Sequence, residues 1–227
     1  MNSKSKQAFT LVEVLVAIAI TAILAALLLP ALSAAKAKAD RATCVNNFKQ
    51  LALGLQSYAD DHGDQLPGPV WQGFYENYDN QDTVRLSYYI ASYLGQPAPC
   101  PNPQLNRLAR CPAAARHWNA AASDIPLMDL DRPLSYIVSI AVTNANSGVV
   151  TRPFGYPYSH IPFSSENEAP KRLREIGSPG LSWAMTDADQ LNASPTGSYY
   201  DFLPKTPAHG NVRNQLFFDW HVTAVLR

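Results

Sequence analysis

No charge of either sign predominates in this chain: 18 lysines and arginines face 18 aspartates and glutamates, for a formal net charge of zero. A sequence without a basic surplus lacks the electrostatic footprint of a nucleic-acid-binding domain. Cysteine is scarce. The three residues, Cys44, Cys100 and Cys111, form no C-x2-C pair, which removes the usual zinc-finger spacings. H-E-x-x-H, G-x-S-x-G and the phosphate-cradling G-x4-G-K-[ST] are also missing. The expectation is therefore a protein that is not an enzyme and needs no resident cofactor. Long apolar runs are absent too, with one exception.

That exception is Phe9 to Leu29, FTLVEVLVAIAITAILAALLL, 21 residues with no Lys, Arg, Gly or Pro and one acid, Glu13. A helix of this length reaches across the roughly 30 Å hydrocarbon core of a bilayer. Three readings compete. The run is a secretory signal cut after Leu29, a plain membrane anchor, or a segment in which Glu13 has a task. An intramembrane carboxylate is costly, by about 2.5 kcal/mol or more at mid-span, so it is a functional hypothesis by default.

The residues around it, KQA-FTLVE, resemble the prepilin signal of type IV pilins and type II secretion pseudopilins. That signal is a short basic leader, a small residue, then Phe-Thr-Leu and an acid at the fifth mature position. The resemblance implies cleavage between Ala8 and Phe9 by a prepilin peptidase and N-methylation of Phe9. Ala8 stands where the family usually has Gly. The resemblance also implies that the apolar run is retained, so that Glu13 of one subunit pairs with the Phe9 amine of its neighbour in a homo- or hetero-polymer of pilin-like subunits. Lys4 and Lys6 precede the run and place the N-terminus in the cytoplasm, with the bulk of the chain outside the inner membrane as a single-pass protein.

The chain divides into a leader (1–8), a transmembrane and polymerisation helix (9–29), a continuation packing on the domain (30–62) and an extracytoplasmic α+β domain (63–227). Ala-rich sequence continues beyond Pro30, which predicts a kink rather than an end. Val45, Phe48, Ala52, Leu55 and Ala59 form an apolar stripe at spacings of three and four; Asn46, Asn47, Lys49 and Gln50 form the polar face. Asp61-His62-Gly63-Asp64 ends the helix.

Residues 41–67 are similar to a prepilin-like family of uncharacterised function that carries Cys-x-Asn-Asn-Leu-Lys-Gln on this helix, then Tyr and an acidic His-Gly turn. Cys44, Asn46, Asn47, Lys49, Gln50, Tyr58, His62, Gly63 and Pro67 stand at those places, with Phe48 for Leu. Outside the cytoplasm disulfides are permitted, and an odd count leaves one thiol over. Cys100 and Cys111 flank a short loop and are one candidate pair; Cys44–Cys111 is the rival.

Beyond the helix, Trp71, Phe74, Tyr75 and Tyr78 lie in a turn-rich stretch and either bind sugar or cover the core. Thr83 to Leu94 reads as a short helix stopped at Gly95, and 113–133 as a loop with one helical turn. Ser135–Thr143 and Leu181–Thr186 read as strands, and Arg172 to Ile176 as a short helix or strand. Residues 144–170 form a long Pro-rich loop whose aromatics, Phe154, Tyr156, Tyr158 and Phe163, make either a lateral contact surface or a self-packed excursion.

His209, nine residues, Asp219 and His221 resemble that family's terminal His-x9-Asp-Gly signature, on a hairpin of Gln215–Phe218 and His221–Leu226. Trp220 stands where the signature has Gly, so the turn is either of another type or strained. Asp187 and Asp189 supply hard oxygens at i and i+2, a Ca²⁺ candidate.

The fold expected is α+β and pilin-like: a long N-terminal helix packed on a small antiparallel β-sheet domain. The function expected is that of a structural filament subunit of a type IV pilus or type II secretion pseudopilus. The alternative is a membrane-anchored binding module that does not polymerise. An enzyme would need a pocket joining Asp187, His209 and Asp219.

Overall fold

The computed structural model describes residues 10–117, 134–145, 148–157, 167–195 and 199–226. The first element is helix α1, Leu11–Asp61, which continues through Pro30 as the Ala-rich sequence predicts. The chain forms two compact units, residues 1–39 and 40–227. In the first, every described residue from Thr10 to Ala39 is exposed.

The second unit begins with the C-terminal part of α1, whose buried residues are Cys44, Asn47, Phe48, Leu51, Ala52, Gly54, Leu55 and Ala59. Phe48, Ala52, Leu55 and Ala59 are buried as the sequence predicts, and the stripe is wider than expected on its N-terminal side. Cys44 is buried where Val45 is half-buried, and Asn47 lies inside rather than on the polar face. Gly63 (φ 63°) turns the chain left-handed, and the Asp64 N–H donates to the Ala59 carbonyl at 2.8 Å, ending the helix at the His-Gly turn.

In chain order the remaining elements are β1 (Gly73–Phe74), β2 (Asn77–Tyr78), α2 (Leu86–Ile90), β3 (Gln104–Leu105), α3 (Pro112–His117), β4 (Tyr136–Val138), β5 (Val142–Thr143), β6 (Val150–Thr151), β7 (Trp183–Asp187), β8 (Val212–Phe217) and β9 (Val222–Leu226). Five strands form one sheet in the order β1-β4-β7-β8-β9, antiparallel throughout. The fold is α+β, with the helix on the sheet. Residues 118–133, the rest of the predicted loop, lie outside the described residues.

Strand alternation sorts the core into two clusters. On β4, Tyr136 and Val138 join Phe48, Leu51 and Leu55 of α1 with Met185 and Leu216 of the sheet. Ile137, between them, points the other way, into a cluster with Leu134, Ala188, Ala193, Tyr199 and Leu203. Both faces of β4 are therefore covered, which explains why it reads as a nearly continuous apolar run. The expected strand over 135–143 is interrupted after Val138, where the Ser139 N–H donates to Ala184 O at 2.8 Å; the chain then leaves to pair β5 with β6.

Two of the aromatics beyond β6 bear on the alternatives left open for residues 144–170. Phe154 is buried, 5.8 Å from the Phe218 ring, and Tyr156 stands edge-on to Trp71 at 5.3 Å with Arg152 over its face at 4.5 Å. These two rings pack against the chain's own residues, as the self-packed alternative expects, with Tyr156 half-buried. Tyr158 and Phe163 lie outside the described residues. Phe74 and Tyr78 are likewise buried, so they cover the core.

Gly155 holds this excursion closed. It has φ 66°, and a Cβ there would run into the Glu168 carbonyl oxygen and stand 2.9 Å from Pro170 N. Neighbouring Tyr156 and Glu168 exchange both backbone hydrogen bonds at 3.0 Å. Gly155→Ala is expected to cost more than the roughly 1–2 kcal/mol of a left-handed alanine, because backbone must move as well. Gly148, also at φ 66° with nothing within 4 Å of its would-be Cβ, supplies the control. Urea unfolding of the two alanine variants checks the difference; equal losses would contradict the packing argument.

Candidate functional site

Two places gather the residues that the sequence singles out. The first is the head of α1. Thr10 precedes the first helical residue, and its N–H and its hydroxyl both donate to Glu13 Oε2 at 2.8 Å. The Glu13 N–H returns a bond to Thr10 Oγ1 at 3.3 Å. This is a capping box: Thr at the N-cap and Glu three residues on satisfy two helix N–H groups that have no intrahelical acceptor. The Thr-Leu-Val-Glu of the prepilin-like signal thus has a local structural task within one chain. Ala8 and Phe9, the expected processing residues, lie outside the described residues.

The second place is a buried polar cluster between α1 and the sheet. Cys44 and Cys111 are joined by a disulfide across 67 residues of sequence, and Cys100 is a free, half-buried thiol. The loop-flanking pair Cys100–Cys111 is therefore corrected to its rival. Cys111 lies just before α3 with its side chain fully buried beside Cys44 on the inner face of α1. Cys100 sits in a surface loop with its thiol 3.1 Å from the Asn102 carbonyl.

Around the disulfide stand His209, Asp187, Asn214, Tyr136, Asn47 and Arg41. His209 Nε2 is 3.4 Å from Cys111 Sγ and 3.7 Å from Asp187 Oδ2. Asp187, at the end of β7, shares the helix-facing side of the sheet with Met185, two residues earlier. Its Oδ2 accepts from the Asn214 backbone N–H at 2.7 Å and from Asn214 Nδ2 at 3.0 Å. Its Oδ1 is buried without a hydrogen-bond partner among the described residues. Arg41 Nε donates to Asn214 Oδ1 at 3.3 Å. Asn47 Nδ2 donates to the Arg110 carbonyl at 2.9 Å and to the Tyr136 hydroxyl at 3.3 Å.

Burial dominates the titration of this cluster. It pushes the Asp187 carboxyl up to about 7, against the lowering effect of the Asn214 hydrogen bonds. It pulls the His209 imidazole down to about 4, aided by the Arg41 charge, and holds the Tyr136 phenol well above its ordinary value. Asp187 and His209 are close enough for an ion pair, but desolvation disfavours both charges. Between about pH 4 and pH 7 the carboxyl keeps its proton and the contact is a neutral one.

Asp189 has a different partner. Both of its oxygens are taken by Arg213, Nε at 2.6 Å and Nη2 at 2.9 Å, and its Oδ1 also accepts from the Leu191 N–H. Asp187 and Asp189 consequently do not present one shared set of oxygens, and a guanidinium stands where a Ca²⁺ at Asp189 would. Asp219 lies apart from the cluster, on the exposed β8–β9 hairpin, with His221 Nδ1 at 2.5 Å. Asp187 and His209 come together; Asp219 pairs with His221 instead. In the turn, the Trp220 N–H donates to Phe217 O at 3.0 Å and Trp220 itself has φ 70°. Asp219 is not in the left-handed region, so the turn is of another type than Asp-Gly, and Trp220 carries the one left-handed position.

Sequence reasoning missed Arg41, Tyr136, Arg213 and Asn214, and placed Asn47 on the polar face. For Asn47 a signal was present: it lies three residues after Cys44, on the same helical face. For Asn214 there was none, because strand register alone brings it against Asp187.

The prokaryotic N-terminal methylation motif matches residues 3–29. A protein of unknown function, DUF1559, matches residues 33–131. The second match covers the part of α1 that enters the sheet domain and both disulfide cysteines, and ends before β4. His209, Asp219 and His221 lie beyond it. No curated protein and no solved structure matches the chain.

Proposed function

This chain is a prepilin-like protein, and we propose that it is a structural subunit assembled into a type IV pilus or a type II secretion pseudopilus. In this reading a prepilin peptidase cuts between Ala8 and Phe9, and Phe9 becomes the methylated N-terminus. The apolar part of α1 anchors the subunit in the inner membrane in a single pass, with the cytoplasmic end marked by Lys4 and Lys6 and the sheet domain on the far side. Subunits then stack through their helices, and no catalytic residue is required.

One observation carries the reading. A single helix buries a stripe from Cys44 to Ala59 in its own domain and leaves all its apolar residues from Leu11 to Leu32 exposed. An apolar surface of that extent needs lipid or other helices around it. Glu13 fits the same scheme. Among the described residues both Thr10 contacts fall on Oε2, and in this reading the second oxygen takes the Phe9 amine of a neighbouring subunit.

The test separates charge from capping. Glu13→Gln keeps a residue that closes the capping box but removes the charge; Glu13→Ala removes both. Both variants are expected to reduce sheared filaments by about tenfold or more, the effect of losing an ion pair of roughly 1.4 kcal/mol. Mass spectrometry of the filament is expected to find methylated Phe9 as the first residue. Filaments at normal levels from Glu13→Gln would remove the ion-pair role. A monomeric product that still begins at Met1 would favour the anchored binding module.

A further inference from the structure

We propose that the disulfide site is also a metal site: when Cys44 and Cys111 are reduced, their thiolates and His209 bind one Zn²⁺, with Asp187 at the fourth position. The inference rests on position. Sγ of Cys44, Sγ of Cys111 and a ring nitrogen of His209 all lie within 4.8 Å of one another. Tetrahedral zinc with Zn–S near 2.3 Å and Zn–N near 2.0 Å sets S···N at about 3.5 Å and N···O at about 3.4 Å. The corresponding separations here are 3.4 Å for Cys111 Sγ to His209 Nε2 and 3.7 Å for His209 Nε2 to Asp187 Oδ2. The two sulfurs must part from bonding distance to about 3.8 Å, and the Asp187 carboxylate, which stands outside the group of three, must close on them.

A second observation points to a ligand. The Asp187 Oδ1 atom is buried and has no hydrogen-bond partner among the described residues, although burying such an atom without one is unfavourable. A cation held by both carboxylate oxygens is one group that satisfies it, since the oxygen 3.7 Å from His209 Nε2 is Oδ2. The charges are also compatible. Two thiolates, one carboxylate and a neutral imidazole around Zn²⁺ leave one net negative charge, and Arg41, hydrogen-bonded to Asn214 beside Asp187, faces it. Asn214 holds Asp187 through two bonds to Oδ2, the outer-shell support that ligating carboxylates commonly have.

The chemistry balances. A cellular dithiol gives two electrons and two protons to the Cys44–Cys111 bond, becoming a disulfide itself and leaving two thiols. Zn²⁺ displaces both thiol protons into solvent as it binds, together with the carboxyl proton of Asp187 below about pH 7. Oxidation reverses the sequence and releases the metal. The same fold is thus tied from α1 to the residue before α3 by zinc before oxidation and by a covalent bond after it.

The test uses the full-length chain in detergent micelles, reduced without air by a phosphine. The phosphine takes the oxygen of one water and becomes its oxide, while the two sulfurs take the protons. Cobalt(II) serves as the visible probe and zinc as the competitor. The reduced chain is expected to bind one cobalt with the d–d absorption of a tetrahedral thiolate site, and zinc is expected to bleach it. The oxidised chain is expected to show no such band. His209→Ala and Asp187→Ala are each expected to weaken zinc by tenfold or more, while Cys100→Ala leaves it unchanged. Near-UV circular dichroism of the reduced chain guards against unfolding: zinc is expected to restore any native signal that reduction removes. A reduced chain with no thiolate–cobalt band overturns the proposal. So does a band indifferent to His209 and Asp187, or a native signal that zinc does not restore.

Discussion

Cys44→Ala is expected to lower the free energy of unfolding by about 4 kcal/mol, the loop-closure entropy of a cross-link spanning this many residues. The bond ties α1 to the residue before α3 across 67 positions, so cutting it frees a long stretch of the unfolded chain. Cys111→Ala is expected to lose the same amount, and the double variant little more, because the loss belongs to the link and not to either side chain. Cys100→Ala is expected to stay within about 1 kcal/mol of wild type, since the thiol is half-buried and makes only weak contacts, donating to the Asn102 carbonyl and accepting from Gln104 Nε2. Urea unfolding with a metal chelator present checks all four. Losses from Cys44→Ala and Cys111→Ala that simply add in the double variant would mean that the two sulfurs act separately, and the pairing would be wrong.

This link was half legible in the sequence. Three cysteines and the extracytoplasmic setting expected from the sequence call for one bond and one leftover thiol, but the partner of Cys111 is decided by which cysteine enters the helix–sheet core. Local features were easiest to read. The apolar run and the Asp-His-Gly stop depend on neighbours within four residues, and helical period makes them visible; the capping box of Thr10 and Glu13 was just as local and was not read. Features that depend on tertiary register were read less well. Asn47 looks polar and therefore exposed, yet it is buried because Arg110 O and Tyr136 Oη meet it. The apolar 135–143 run looks like one strand because both faces of Tyr136–Val138 are covered. Phe154 and Tyr156 look like a contact surface until the Gly155 turn brings them back onto Phe218 and Trp71. At the C-terminal hairpin the sequence stated the conflict correctly: Trp220 occupies a left-handed position and the turn departs from the Asp-Gly form.

Arg213→Met is the second large effect expected, a loss of about 3–5 kcal/mol, the usual cost of breaking a buried ion pair from one side. The Asp189 side chain is fully buried and Arg213 is 15% exposed. The two meet through two parallel hydrogen bonds, the geometry in which a guanidinium holds a carboxylate most firmly. Without Arg213 a buried charge has no counter-ion. Asp189→Asn in the same chain removes that charge and keeps an oxygen to accept from the Leu191 N–H. The double variant is therefore expected to recover most of the loss. The pair also pins the segment beginning at Ala188, which covers the second cluster through Ala193, Tyr199 and Leu203, to β8. Faster hydrogen exchange at the Leu191 and Ala193 amides should accompany the loss. Arg213→Met unfolding within about 1 kcal/mol of wild type, or a double variant no more stable than the single, would show that the cover is held by its apolar contacts alone.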